Sequence, residues 1–80
     1  MPNIYVLFGI VVSMNFSQSE HNPPHIHVQY GDYNAIYDIH SGELLAGTFP
    51  SKQNKIVCDF IKTYKETLLE MWDTQKFHKL

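Results

Sequence analysis

Apolar and polar positions along this chain change period twice. Ile4 to Leu7 are apolar on both faces, and a turn is expected at Phe8-Gly9. Ile10, Val12, Met14 and Phe16 then alternate with Val11, Ser13 and Asn15. Period-two patterning in β-branched and aromatic residues around a glycine predicts a hairpin, with strands over 4–7 and 10–16. One long bent strand is the alternative. Ser17 to Asn22 is a polar loop, and Pro23-Pro24 follows. Proline fixes its own φ and pushes the residue before it to extended conformations, so the pair stiffens the approach to the next strand.

That strand is expected over 25–30, with Gly31-Asp32 as a two-residue turn and a fourth strand over 33–39. A turn this short sets Tyr30 opposite Tyr33. Stepping back then pairs Val28 with Ala35, Ile26 with Tyr37 and His25 with Asp38. Ile26, Val28, Tyr30, Tyr33, Ala35 and Tyr37 make an apolar core face. His25, His27, Gln29, Asn34, Ile36 and Asp38 make the opposite, polar one. After Ser41-Gly42 a fifth strand runs over 43–49, anchored by Leu44, Leu45 and Phe49. Pro50-Ser51 ends the sheet, and Ser51 is a natural helix N-cap.

From 52 to about 76 the period becomes helical. Val57, Phe60, Ile61, Tyr64, Leu68, Met71 and Trp72 fall on one face, with Lys55, Asp59, Lys62, Glu66 and Asp73 opposite. Such a helix outruns the strands, so a kink is expected near Thr63 to Lys65. The fold class is α+β: an antiparallel β-meander of four to five short strands, one face packed on a long C-terminal helix, in a single domain over 1–80.

Composition narrows the setting. The chain has 80 residues, is 44% hydrophobic and 18% charged, and carries a net charge of −2, which makes DNA a poor partner for its surface. The lysines of the helix alternate with acids and read as a solvated face. The single cysteine, Cys58, excludes an internal disulfide and fits a reducing cytoplasm. It reads as an inert, partly buried thiol. No stretch is long and apolar enough for a membrane span.

The candidate chemistry lies in His21-Asn22-Pro23-Pro24-His25-Ile26-His27-Val28. His25 and His27, two residues apart on a strand, point to one face. Imidazole exchanges protons near neutrality, so two of them can serve as base and acid on either side of a phosphodiester. Asp38 is positioned to orient His25, and Gln29 or Asn34 to bind a phosphate oxygen. This is the arrangement of a ribonuclease that needs no cofactor, although the chain has no arginine to clamp phosphate. A second reading is a metal site: His21, His25 and His27, or Asp38 or His40 in place of His21, would hold zinc or another divalent metal with a position open. A third is an ordinary half-exposed polar sheet face. His40 is expected at a turn and His78 in the tail.

The chain resembles a family of small, mostly bacterial proteins, the domain of unknown function 4160. The resemblance rests on Met1-Pro2-x-Ile4, Gly9-Ile10, the central His21 to Val28 motif, Tyr30-Gly31, Asp38-Ile39, Gly42-Glu43, Gly47 and Leu68-Leu69-Glu70-x-Trp72. It departs in a longer Ser17 to Glu20 loop and in isoleucine, where phenylalanine is frequent, between the histidines. The resemblance implies a stand-alone domain encoded beside a second small protein, the two forming a toxin–antitoxin pair. It lends no catalytic assignment. Two classes follow: a toxin-like nuclease or phosphodiesterase acting on RNA, or a non-catalytic module that binds the neighbouring protein.

Overall fold

The computed structural model describes residues 3–14, 23–74, 76 and 80. Five strands, β1 (Asn3–Leu7), β2 (Ile10–Ser13), β3 (His25–Tyr30), β4 (Tyr33–Asp38) and β5 (Leu44–Gly47), precede one helix, α1 (Ser51–Thr74). The strands form one antiparallel sheet in chain order, and α1 covers one face of it. The β-meander and its covering helix are those the hydrophobic pattern predicts.

The central hairpin has the register dictated by its two-residue turn, from Tyr30 opposite Tyr33 to His25 opposite Asp38. Ile26, Val28, Ala35 and Tyr37 are buried against α1, together with Ile10, Val12 and Met14 from β2 and the chain just beyond it. Tyr33, which follows the turn directly at the start of β4, is instead 46% exposed. β1 is irregular between Asn3 and Tyr5. A bulge puts consecutive residues on one side, and here both Ile4, fully buried, and Tyr5, stacked on Phe60 at 5.1 Å, turn toward α1.

The helix buries the expected stripe of Val57, Phe60, Ile61, Leu68, Met71 and Trp72. It starts one residue before the expected boundary. The Pro50 carbonyl accepts from the Asn54 amide at 2.8 Å, so Ser51 is the first helical residue rather than the cap. Tyr37 ties this first turn to β4 by donating its hydroxyl to Asn54 Oδ1 at 2.5 Å. Burial, and then the neighbouring Cys58, push that phenol up to about 12. The expected kink is at Tyr64, whose φ of −108° and ψ of 16° leave the helical region. Thr63 Oγ1 donates to the Asp59 carbonyl at 2.9 Å. A hydroxyl bonded back to the preceding turn bends a helix. Tyr64 also packs on Phe60 at 5.1 Å and Tyr5 at 5.9 Å.

β5 departs most from expectation. It spans four residues, and all four are exposed. Leu44 and Leu45, expected as anchors, are 44% and 47% exposed, and the anchor is Phe49, edge-on to Tyr30 and Tyr37. Leu45 is the extra residue of a bulge, since Ile36 pairs with Ala46 and Tyr37 with Leu44. At the other end of the sheet Phe8 adopts a φ of 48° in the β1–β2 turn and is 80% exposed. The Leu80 amide donates to the Ile4 carbonyl at 2.7 Å, tying the end of the chain to β1. Among the described residues no helix is long and apolar enough to cross a membrane.

Candidate functional site

The face of the sheet away from α1 carries the polar residues of the hairpin in two rows. Registers across the four strand pairs align Asn3, Ser13, His27, Ile36 and Ala46 in one row spanning all five strands. A second row is Val11, Gln29 and Asn34. Together they form the floor of a groove of about 580 Å³. His27, Gln29 and Asn34, three of the residues picked out by alternation, therefore share one concavity. Ser13 is the residue the sequence reasoning missed. It faces His27 across the β2–β3 ladder and is the buried polar residue among those described, at 7% exposure. Its place opposite His27 depends on the β2–β3 register, which no turn signal in the sequence from Asn15 to Asn22 announces.

His25 and His27 lie as the strand period requires, with ring centroids 5.3 Å apart and planes at 62°. Their surroundings differ. His25 Nδ1 is 2.9 Å from the Pro23 carbonyl. A carbonyl only accepts, so Nδ1 carries the proton and Nε2 is the nitrogen left to exchange one. Trp72, near the C-terminal end of α1, packs on the same ring at 4.8 Å. Sequence reasoning placed Trp72 in the core; it is buried there and also packs on the His25 ring. His27 is pulled below the ordinary imidazole range by burial first and by His25 second, so it is neutral at pH 7.

Asp38 is opposite His25 in register, yet its carboxylate serves the following turn. Oδ1 accepts from the His40 amide at 2.7 Å and the Ser41 amide at 3.1 Å. The orienting bond to His25 comes from Pro23 instead. Pro24 adds a second tie, its carbonyl accepting the Ile39 amide at 3.0 Å. His40 is exposed at the turn, as expected. Cys58 donates its thiol to the Gly42 carbonyl at 3.5 Å, and burial followed by Asp59 raises its pKa, which suits an inert thiol. Among the described residues no group of three His, Cys, Asp or Glu side chains is placed to hold a metal ion. The expected third ligand, His21, lies outside the described residues, as does His78.

The two causes acting on His27 can be separated. Neutral His27 is favoured in the fold, so its contribution to stability is present above the unfolded value of about 6.5 and is lost as pH falls below it. Replacing His25 by alanine removes the smaller cause. The His27 Cε1 proton, followed by NMR, should titrate at a higher pH in that variant while still below 6.5. An unmoved midpoint would show that the imidazoles do not sense each other.

The fold and the site define a small α+β domain whose open sheet face carries an imidazole pair beside a mixed polar and apolar groove. The chain belongs to the family described as Domain of unknown function (DUF4160), whose model matches residues 9–73. No curated protein matches the chain, and no solved structure does.

Proposed function

We propose that this face is the acid–base site of a small histidine-dependent phosphodiesterase that cleaves RNA without a metal, and that the protein is the toxin of a toxin–antitoxin pair acting in the cytoplasm. The observation that carries the reading is the pairing of two imidazoles 5.3 Å apart in unlike surroundings. His27, favoured neutral, is the base that takes the proton from a ribose 2′-hydroxyl. The freed oxygen attacks the adjacent phosphorus, forming a 2′,3′-cyclic phosphate and breaking the bond to the 5′-oxygen. His25, protonated on both nitrogens, gives its Nε2 proton to that leaving oxygen, while Nδ1–H stays on the Pro23 carbonyl. Gln29 and Asn34 present amide donors in the groove that His27 lines. Asp38 acts at one remove, by holding the turn after β4. Among the described residues no lysine lines the groove, so cleavage should depend far less on salt than binding to a basic surface does.

The test is purified protein with a short RNA in the presence of a chelator. Wild type should yield a 2′,3′-cyclic phosphate end, and His25→Ala or His27→Ala should each lower kcat/KM by about 10²- to 10⁴-fold, the usual worth of a positioned acid or base. Equal rates in wild type and both variants would end the assignment. In cells, arrest of growth should follow expression of wild type but not of the His25→Ala/His27→Ala double variant at equal soluble level. Arrest by both would instead favour the binding-module reading. That reading is supported by the exposed apolar side chains Val6 and Phe8 at one end of the sheet and Leu44 and Leu45 at the other, where a small partner protein would dock.

A further inference from the structure

The groove next to His27 has a chemistry of its own. Its described lining includes no aspartate, glutamate or lysine, and its one titratable side chain, His27, is held neutral. A charged group seated there would meet no countercharge among the described lining, so the groove favours an uncharged part of a ligand. Polar recognition comes from carboxamides. Gln29 and Asn34 are direct cross-strand partners, and Asn3 stands at the far end of the neighbouring row. A carboxamide offers a donor and an acceptor in one plane, the pattern that pairs with the edge of a nitrogen heterocycle. Val11, Ile36 and Ala46 supply a low apolar floor between these amides. Such a floor accepts the face of a flat ring and sits poorly under a sugar, whose hydroxyls would lose water there. The volume, about 580 Å³, is within the range of small-molecule sites.

We infer that the groove binds a nucleobase, held by the Gln29 and Asn34 amides over Val11, Ile36 and Ala46, and that it thereby selects the base next to the bond that His25 and His27 cleave. The inference rests on the acid–base reading for its link to cleavage, but base binding stands apart from it. Because the ring is read along its edge by two amides, the site distinguishes among bases. The same chemistry would accept a base within RNA or in a free nucleotide.

The experiment is titration of ¹⁵N,¹³C-labelled full-length protein with adenosine, guanosine, cytidine and uridine, and with ribose 5-phosphate as the base-free probe. At least one nucleoside should saturably shift the Gln29 and Asn34 side-chain amides and the Val11, Ile36 and Ala46 methyls. Ribose 5-phosphate should leave them in place. Gln29→Leu and Asn34→Leu should each weaken that nucleoside ~10-fold, the size of one lost polar contact. Ala46→Leu, on an exposed edge position, should fill the groove and abolish binding while the core amide spectrum stays native. Tighter binding of a single-stranded oligonucleotide than of the free nucleoside would assign the site to RNA, and equal binding to free nucleotide. Absence of shifts with all four nucleosides at millimolar concentration overturns the inference, as do equal shifts with ribose 5-phosphate or shifts confined to the Phe8 end of the sheet. RNA cleavage without base binding removes this inference and leaves the acid–base site standing. Base binding without cleavage does the reverse.

Discussion

Gly47→Ala should unfold the β5 side of the sheet. Gly47 has a φ of +83°, and a Cβ added there would lie 2.1 Å from the Asn34 carbonyl oxygen and 2.9 Å from Ala35 Cα. Both are backbone atoms of β4, so no side chain can swing aside. The relief available is separation of the strands, which breaks the Thr48 amide bond to the Asn34 carbonyl and pulls Phe49 from Tyr30 and Tyr37. Left-handed strain of about 1–2 kcal/mol adds to the collision, for a loss of roughly 3 kcal/mol or more. That is a large fraction of what a domain of this size has. Gly31→Ala is the matched control: its φ is +57°, but nothing lies within 4 Å of its Cβ position, so the conformational part alone should appear. Urea midpoints for the two variants decide the matter. Equal losses would mean that the close approach of β4 and β5 relaxes without cost.

Trp72→Ala should be the most damaging change on the helix. The indole is buried and stands against the His25 ring at 4.8 Å. Removing a buried indole costs about 3–5 kcal/mol through lost burial and the cavity left behind. The loss has a second readout, because the packing partner of His25 goes with it. Trp72→Phe keeps a ring in place, so its cost in stability should be much smaller and His25 should keep its resonance position. If Trp72→Ala melts the protein without moving the His25 signals in the fraction still folded, the contact is packing alone. If the Phe variant restores both, Trp72 positions the imidazole.

The pairs of the β3–β4 hairpin were legible one by one, because a two-residue turn leaves a single register and the alternation of Ile26, Val28, Ala35 and Tyr37 leaves one buried face. The helix stripe was legible for a similar reason, since its six buried residues recur at helical spacing on one face. The β2–β3 register was not, and with it went Ser13, because a polar connection carries no turn signal of its own. Leu44 and Leu45 misled through hydrophobicity alone: nothing in their side chains reports that both stand about half exposed on the edge strand. The pairing of Asp38 with His25 followed from register, but the carboxylate was closer to two turn amides than register can reveal. The groove, which needs all four ladders at once, lies beyond what any one hairpin announces.

Pro23 and Pro24 lack amide protons, yet each lends its carbonyl, one to the His25 ring and one to the Ile39 amide. Both ties lead forward into the hairpin that follows and neither leads back toward β2. The start of β3 is therefore braced from within its own hairpin: one carbonyl reaches the imidazole two residues on, the other the residue that follows β4.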